Sequence, residues 1–422
     1  MFLKKVFFSG LFVLFLLGCK TSKLSRTLSK KVNTSFFDNQ FTGIYIYDLN
    51  ADKALYNYNG NKYFTPASNT KIFTLFTGLQ LLPDSIPSFK YFIEKDTITI
   101  QGTGDPTLFH PYFKDSTVYN KVKGFARINL IIDNIIDKRY APGWAWEDFD
   151  SYYSPERNAF PMYGNVVAFH KSDSLIVTPK FIEKSLKLTD NFSGREEFSN
   201  TFYFKKNRKK EMKIPMIMDS TLIFNLWNDV LPDKVQIIKS KNINQFSTAY
   251  SVSSDSLYKR MMEVSDNFLA EQILVLASST LSDTLNTSKV RKYMLENALA
   301  HLEQPPRWVD GSGLSRYNLF TPASFVTVLT EMYKTVDKDR LFNLFSVGGK
   351  FGTLKDWYLG TENPYVYAKT GTLGNNHNLS GYLITNSGNV LVFSYMNNHY
   401  KHSNTAVKEQ MQTIFEWLRD NY

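Results

Sequence analysis

The 422-residue sequence predicts a mixed α/β (α+β) protein. Three observations lead there. Alternating, β-rich runs form hairpins near both ends of the chain. Apolar stripes at helical spacing lie between them. A central stretch of short β-like runs, broken by turn residues, separates the first of these helices from the rest. The hydrophobic share of 43% suffices for a large core and for more than one domain.

Composition excludes several classes. Lys+Arg 49 against Asp+Glu 39 gives a diffuse excess of +10, with no nucleic-acid recognition motif to focus it. Cys19 is the single cysteine, so no internal disulfide can form. The six histidines are scattered, without metal-ligand spacing. Gly102-Thr-Gly104 runs into Asp105-Pro106 and not into a helix, so it is no nucleotide loop. No metal or cofactor is expected.

Taken in order, Lys4-Lys5 precede an apolar run from Val6 to Leu17, which ends Leu16-Leu-Gly-Cys19. The run is too short to span a membrane and has the layout of a signal peptide. Its end resembles the bacterial lipobox, which implies that residues 1–18 are a lipoprotein signal and Cys19 the lipidated residue. The polar stretch 19–31 then reads as a flexible tether.

Gly43–Leu49 and Ala54–Tyr58 read as a hairpin across Asn50-Ala-Asp-Lys53. Phe64-Thr-Pro-Ala-Ser-Asn-Thr-Lys71 leads into Ile72, Phe73, Leu75, Phe76 and Leu79, a buried helix with Ser68 and Lys71 one turn apart. Residues 87–248 read as an inserted, mostly β module. Within it Phe204–Lys213 is a basic surface run. Ser256–Ala277 carries one apolar stripe with Ser265-Asp-Asn267 in its middle, and Val290–Leu302 reads as a further helix. Thr321-Pro-Ala-Ser324 opens another. Tyr365–Thr372 is strand-like, Leu379–Thr385 and Val390–Tyr395 form a hairpin, and Ala406–Leu418 is a closing amphipathic helix. The expected domains are 32–86 joined with 249–422, and 87–248.

Three short signals lie in order: Ser68-x-x-Lys71, Ser265-Asp-Asn267 and Lys369-Thr-Gly371. Each alone is weak. Ser256 and Lys259 also make a Ser-x-x-Lys pair. Together, with the first at a helix start and the last on a strand beside a hairpin, they form the set of penicillin-recognising serine enzymes. The chemistry needs each part. Acyl transfer at an amide requires an activated nucleophile, an acid for the leaving amine and donors for the oxyanion. Ser68 is the candidate nucleophile and Lys71 the candidate base. Ser265 can relay a proton, Asn267 can hold Lys71 and the substrate amide, and Lys369 can depress the pKa of Lys71 and attract a carboxylate. The hydroxyls of Thr370 and Thr372, with Gly371 between them, can hold that carboxylate. The main-chain N–H groups of Ser68 and Thr372 are the expected oxyanion hole.

The sequence resembles the low-molecular-mass class C penicillin-binding proteins, the D-alanyl-D-alanine carboxypeptidase/endopeptidase family. Besides the three signals, Gly102-Thr-Gly-Asp-Pro-Thr-Leu108, Ala141-Pro-Gly-Trp-Ala-Trp146, Asp310-Gly-Ser-Gly-Leu-Ser-Arg316 and Gly352-Thr-Leu354 fit its pattern. So does the 193-residue insertion, 72–264. The resemblance implies a transpeptidase-type domain of the penicillin-binding/β-lactamase kind, an antiparallel sheet with helices on both faces. It implies a serine DD-carboxypeptidase, and possibly endopeptidase, acting on peptidoglycan stem peptides in the bacterial periplasm and acylated by β-lactams. It implies that Asp148, Tyr153 and Arg316 read the substrate side chain. Lipid anchoring is not general to the family, and Gly374 stands where related enzymes carry a polar side chain. The rival readings are a β-lactamase and a non-catalytic peptidoglycan-binding lipoprotein.

Overall fold

The computed structural model describes residues 23–172, 174–239, 245–360 and 363–422. The expected signal segment and Cys19 lie outside the described residues. Residues 23–32 form helix α1. Strands β1 (Phe41–Asp48) and β2 (Lys53–Tyr58) follow, then a 3₁₀ turn at Ala67–Thr70 that runs straight into α2 (Lys71–Leu81). The chain continues through β3 (Ser85–Glu94), β4 (Thr97–Gly102), α3 (Thr117–Val122), β5 (Arg127–Ile131), β6 (Val166–Lys171) and β7 (Leu175–Thr178). Next come β8 (Leu186–Thr189), β9 (Gly194–Arg195), β10 (Phe202–Lys205), β11 (Met212–Pro215), α4 (Ser220–Val230), β12 (Val235–Ile238) and β13 (Ser247–Ser253). Helices α5 (Ser254–Val264), α6 (Asn267–Leu281), α7 (Thr287–Glu296), α8 (Pro322–Thr335) and α9 (Lys338–Asn343) lead to β14 (Ser346–Val347), β15 (Val366–Leu373), β16 (Asn376–Ile384), β17 (Val390–Asn398) and α10 (Asn404–Asn421).

Two compact units result. One runs to Ile72 and resumes at His301–Trp308 and Asn318–Tyr422. The other is Phe73–Ala300 with Val309–Tyr317. They part the chain by packing, at other points than the motif-based division at 86 and 249.

The first unit is built on a six-stranded sheet in the order β14-β15-β16-β17-β1-β2. Its pairings are antiparallel, including Lys369 opposite Ser380 and Ile44 opposite Tyr395. Side chains alternate between the two faces of a strand. Leu379, Leu383, Phe393 and Tyr395 belong to a core shared with Val407, Met411 and Phe415 of α10. Tyr382 points the other way, where its hydroxyl donates to the Leu329 carbonyl of α8 at 2.8 Å. Helices thus cover both faces, as expected. Helix α8 starts where Thr321 caps it by accepting from Ser324 N, with Pro322 at its first position.

Residues 23–31 of the expected flexible tether are instead part of α1. Leu24, Leu28 and Val32, four residues apart, are buried in the same core as α10. A polar composition hid one apolar stripe, and burying three aliphatic side chains outweighs the ordering of the segment. Lys31 lies 6.0 Å above the Trp417 ring.

The second unit has a five-stranded sheet, β12-β5-β4-β3-β13, and two three-stranded sheets, β11-β6-β7 and β8-β10-β9. Ile98, Ile100, Leu130, Phe160, Phe169 and Trp227 form its core. The stripe read as one helical region from Ser256 is two helices. Ser265 takes the left-handed conformation, φ +60°, and ends α5. Asp266 then caps α6 by accepting from Leu269 N at 3.0 Å.

Candidate active site

The Ser68 segment is set by its backbone. Ala67 has φ +49° and is fully buried. A side chain in this left-handed region costs roughly 1–2 kcal/mol, and it persists only where the surroundings hold it. Here they do. Asn69 Nδ2 donates to Ser380 Oγ at 2.7 Å, and Ser380 Oγ donates to Ser394 Oγ at 2.8 Å. Thr65 N donates to Asn398 Oδ1 at 2.7 Å, while Asn378 Nδ2 donates to Thr65 O at 3.0 Å. Polar residues at alternate positions of β16 and β17 therefore clamp both flanks of the Ser68 turn.

On that turn Lys71 Nζ donates to Ser68 Oγ at 2.9 Å. Lys71 has no exposed surface. The three-residue spacing thus brings amine and hydroxyl together, as expected. Lys369 is equally buried. Burial first, and the charge of Lys71 second, hold the Lys369 ammonium well below the ordinary lysine range. Two amines buried within each other's field disfavour double protonation, so they titrate as a pair.

Strand β15 supplies the rest of this half. Lys369 and Gly371 share one face, and Thr370 and Thr372 the other. A Cβ on Gly371 would stand 2.3 Å from Pro66 O and 2.8 Å from Asn69 N. Only glycine lets the strand lie this close to the Ser68 turn. Thr370 Oγ1 donates to Thr353 Oγ1 at 2.9 Å. Thr372 Oγ1 and His377 Nδ1 are 2.8 Å apart. Burial, with the charges of Lys408 and Lys369, lowers the His377 pKa to about 3, so this ring is neutral at physiological pH.

The second unit gathers the other predicted residues. Asn267 Nδ2 donates to Tyr153 O at 2.9 Å. Tyr153 Oη donates to Asp148 Oδ1 at 2.5 Å. Burial and this bond raise the Tyr153 pKa. Asp148, Tyr153 and Asn267 are thereby one connected group. Ser265 sits beside them at the α5–α6 junction. Arg316 is exposed at the end of the Asp310–Arg316 loop. That loop is bound to the Pro-Gly-Trp segment: Trp144 Nε1 donates to Asp310 Oδ2 at 2.9 Å and Ser315 Oγ to Pro142 O at 2.7 Å.

Sequence reasoning missed Glu271. It is fully buried on α6, one turn after Asn267, and its Oε1 accepts from Gly311 N at 2.9 Å and Ser312 N at 2.8 Å. Its Oε2 pairs with Arg157 Nη1 at 3.3 Å. Burial, then the nearby Asp310 charge, raises its pKa; Arg157 and the Ser312 hydrogen bonds oppose the rise. The signal was a charge inside Phe268-Leu-Ala-Glu-Gln-Ile-Leu274, because an apolar helix tolerates a carboxylate only where it is bonded. Thr353, His377, Asn378, Ser380 and Asn398 were likewise given no role. Among the described residues no group of His, Cys, Asp and Glu is arranged to hold a metal, and no helix is long and apolar enough to cross a membrane.

Comparison with known proteins bears on the family and the fold. A model of the D-Ala-D-Ala carboxypeptidase 3 (S13) family matches residues 24–176 and 231–421. The chain is 23% identical to penicillin-sensitive carboxypeptidase A of Dictyostelium discoideum over 85% of its own length and 83% of that protein. It is 21% identical to D-alanyl-D-alanine carboxypeptidase DacB of Haemophilus influenzae, over 89% of each chain. The crystal structure of penicillin binding protein 4 from Haemophilus influenzae superposes with a TM-score of 0.75 at 19% identity, covering 95% of this chain and 99% of that one. The same protein complexed with a β-lactam superposes with a TM-score of 0.64 at 18% identity, covering 94% and 98%.

Proposed function

The chain belongs to the D-Ala-D-Ala carboxypeptidase 3 (S13) family, and from that premise we propose that Ser68 is the nucleophile of a serine DD-carboxypeptidase acting on peptidoglycan stem peptides. The observation that carries this reading is the Lys71 Nζ–Ser68 Oγ hydrogen bond of 2.9 Å inside a buried site that also holds Lys369.

In this reading Ser68 Oγ attacks the carbonyl carbon of the terminal D-Ala–D-Ala bond, and its proton passes to a neutral Lys71. The Ser68 and Thr372 N–H groups hold the oxyanion. The C–N bond breaks as Ser265 passes a proton to the leaving amine, and D-alanine departs. Water then attacks the acyl-enzyme and restores Ser68. Lys369, Thr370 and Thr372 hold the substrate carboxylate, with Gly371 giving the strand its approach. Asn267 orients the substrate amide. Asp148, Tyr153 and Arg316 read the side chain of the third stem residue, and the same site cuts crosslinks as an endopeptidase. β-Lactams, as strained amides with a carboxylate, acylate Ser68.

The enzyme works in the bacterial cell envelope, on the periplasmic side, held to the membrane by lipid on Cys19 after loss of residues 1–18. Cys19→Ala is expected to leave the protein soluble.

Incubating the enzyme with uncrosslinked pentapeptide and crosslinked muropeptides, and weighing the products, tests the function. Loss of one alanine from the pentapeptide supports it. No product, or the same products from Ser68→Ala, contradicts it. A β-lactamase would instead turn over penicillin rapidly.

A further inference from the structure

The second unit carries an aromatic surface that the acyl-transfer machinery leaves unused. Trp146, Tyr152 and Phe198 are 68%, 70% and 79% exposed. Trp146 shares a 3₁₀ turn with Asp148, and Tyr152 precedes Tyr153. Phe198 comes from residues 177–230, the stretch the family model leaves unmatched. Grouped exposed rings mark interaction sites.

The rings are held in place. The Trp146 and Phe198 centroids are 6.2 Å apart at 52°. Trp146 Nε1 donates to Glu197 Oε1 at 2.7 Å, which fixes the indole while its surface stays open. Arg195, 4% exposed, fastens the Phe198 loop to the substrate segment. Its Nε donates to Pro215 O at 2.9 Å, Nη1 to Glu196 O at 2.6 Å and Nη2 to Phe149 O at 3.2 Å. Its guanidinium lies 5.1 Å over the Phe149 ring. A buried arginine is tolerated only when its donors are satisfied, and these bonds lock the loop against residues 146–153. Tyr152, with Asp150 and Ser151, also lines a cavity of about 430 Å³ whose other walls are Ser193 and residues of the Arg208–Lys213 stretch.

Fixed aromatic faces beside hydroxyls and planar charged groups suit a sugar ring. Its C–H face lies on an aromatic, and its hydroxyl and acetamido groups take hydrogen bonds at the rim. We propose that the Trp146–Phe198 pair, with the cavity lined by Tyr152 further along the same segment, binds the glycan strand to which the stem peptide is attached. The proposal rests on the function above. The turn carrying Trp146 also carries Asp148, so one ligand with joined peptide and saccharide parts reaches both. A flat surface for a second copy of this chain would need no such cavity of mixed charge.

Two measurements test it. The first compares KM for a disaccharide-linked peptide and for the same peptide without sugar, in wild type, Phe198→Ala, Trp146→Ala and the conservative Phe198→Tyr. The expected result is a KM about tenfold higher in the alanine variants for the sugar-bearing substrate alone, equivalent to about 1.4 kcal/mol of lost stacking, with Phe198→Tyr near wild type. Equal effects on both substrates, or none on either, overturn the proposal. The second measures binding of peptide-free glycan strands to Ser68→Ala, with and without Phe198→Ala. Binding lost with Phe198 supports the subsite even if no peptide is cut. Absence of binding, or a change of oligomeric state on Phe198→Ala in place of lost binding, overturns it.

Discussion

Lys71 Nζ donates a 2.9 Å hydrogen bond to Ser68 Oγ across one helical turn, and both ends of that turn are pinned by side chains of the central sheet. An amine held there serves as base only if it starts neutral. Lys71→Ala is therefore expected to slow acylation by roughly 10²–10⁴-fold with little change in fold, read as the rate of covalent labelling by a fluorescent penicillin. Acylation near the wild-type rate would give the base role to another group.

The Lys71–Lys369 pair makes a pH prediction. Each charge disfavours the other, and Lys369 is held well below the usual lysine range. Replacing Lys369 by Met removes one of two buried amines that act on each other. The acylation plateau should fall, and the acidic limb of its pH profile should move, because the pair no longer titrates together. A limb that stays in place would separate the two amines energetically.

Gly371→Ala adds one methyl where Pro66 O is 2.3 Å and Asn69 N 2.8 Å away. Both neighbours are backbone, so the strand or the Ser68 turn must shift. The expected cost is about 1–3 kcal/mol of stability, with acylation falling more than a lowered Tm alone explains. A fully active, equally stable variant would show that β15 need not lie so close.

Glu271→Ala leaves Arg157 and the Gly311 and Ser312 N–H groups buried without their carboxylate. Breaking a buried pair in this way costs about 3–5 kcal/mol. Glu271→Gln keeps an acceptor oxygen and should lose less. Thermal unfolding gives the stabilities, and KM for a side-chain-bearing substrate tests whether the Arg316 loop has loosened.

His377 is buried and neutral, with its pKa lowered to about 3. The unfolded chain binds that proton near pH 6.5, and the folded chain does so only near 3. Its contribution is complete above pH 6.5 and is lost as pH falls toward 3. His377→Gln should flatten that acid limb when unfolding is followed by urea titration at several pH values. An unchanged slope would place the acid sensitivity elsewhere.

Much of this was legible in the sequence where local rules act alone. The Ser68–Lys71 pair follows from helical spacing. The β16–β17 hairpin follows from alternation, and the α8 start from Thr321-Pro322. The misses have physical causes. Ser265 breaks what reads as one helix, since nothing in an apolar stripe records a left-handed residue. Helix α1 depends on α10, far along the chain. The clamp residues Asn378, Ser380 and Asn398 are polar positions in an apolar hairpin, and their purpose appears only when the Ser68 turn lies on them.

The central claim is that Ser68 forms the acyl-enzyme. Wild type and Ser68→Ala should be incubated with benzylpenicillin, weighed intact and mapped by peptide. The account predicts a single added penicilloyl group on the wild type, located on the peptide containing Ser68, and none on the variant. An adduct on another residue, or equal labelling of both proteins, would contradict it.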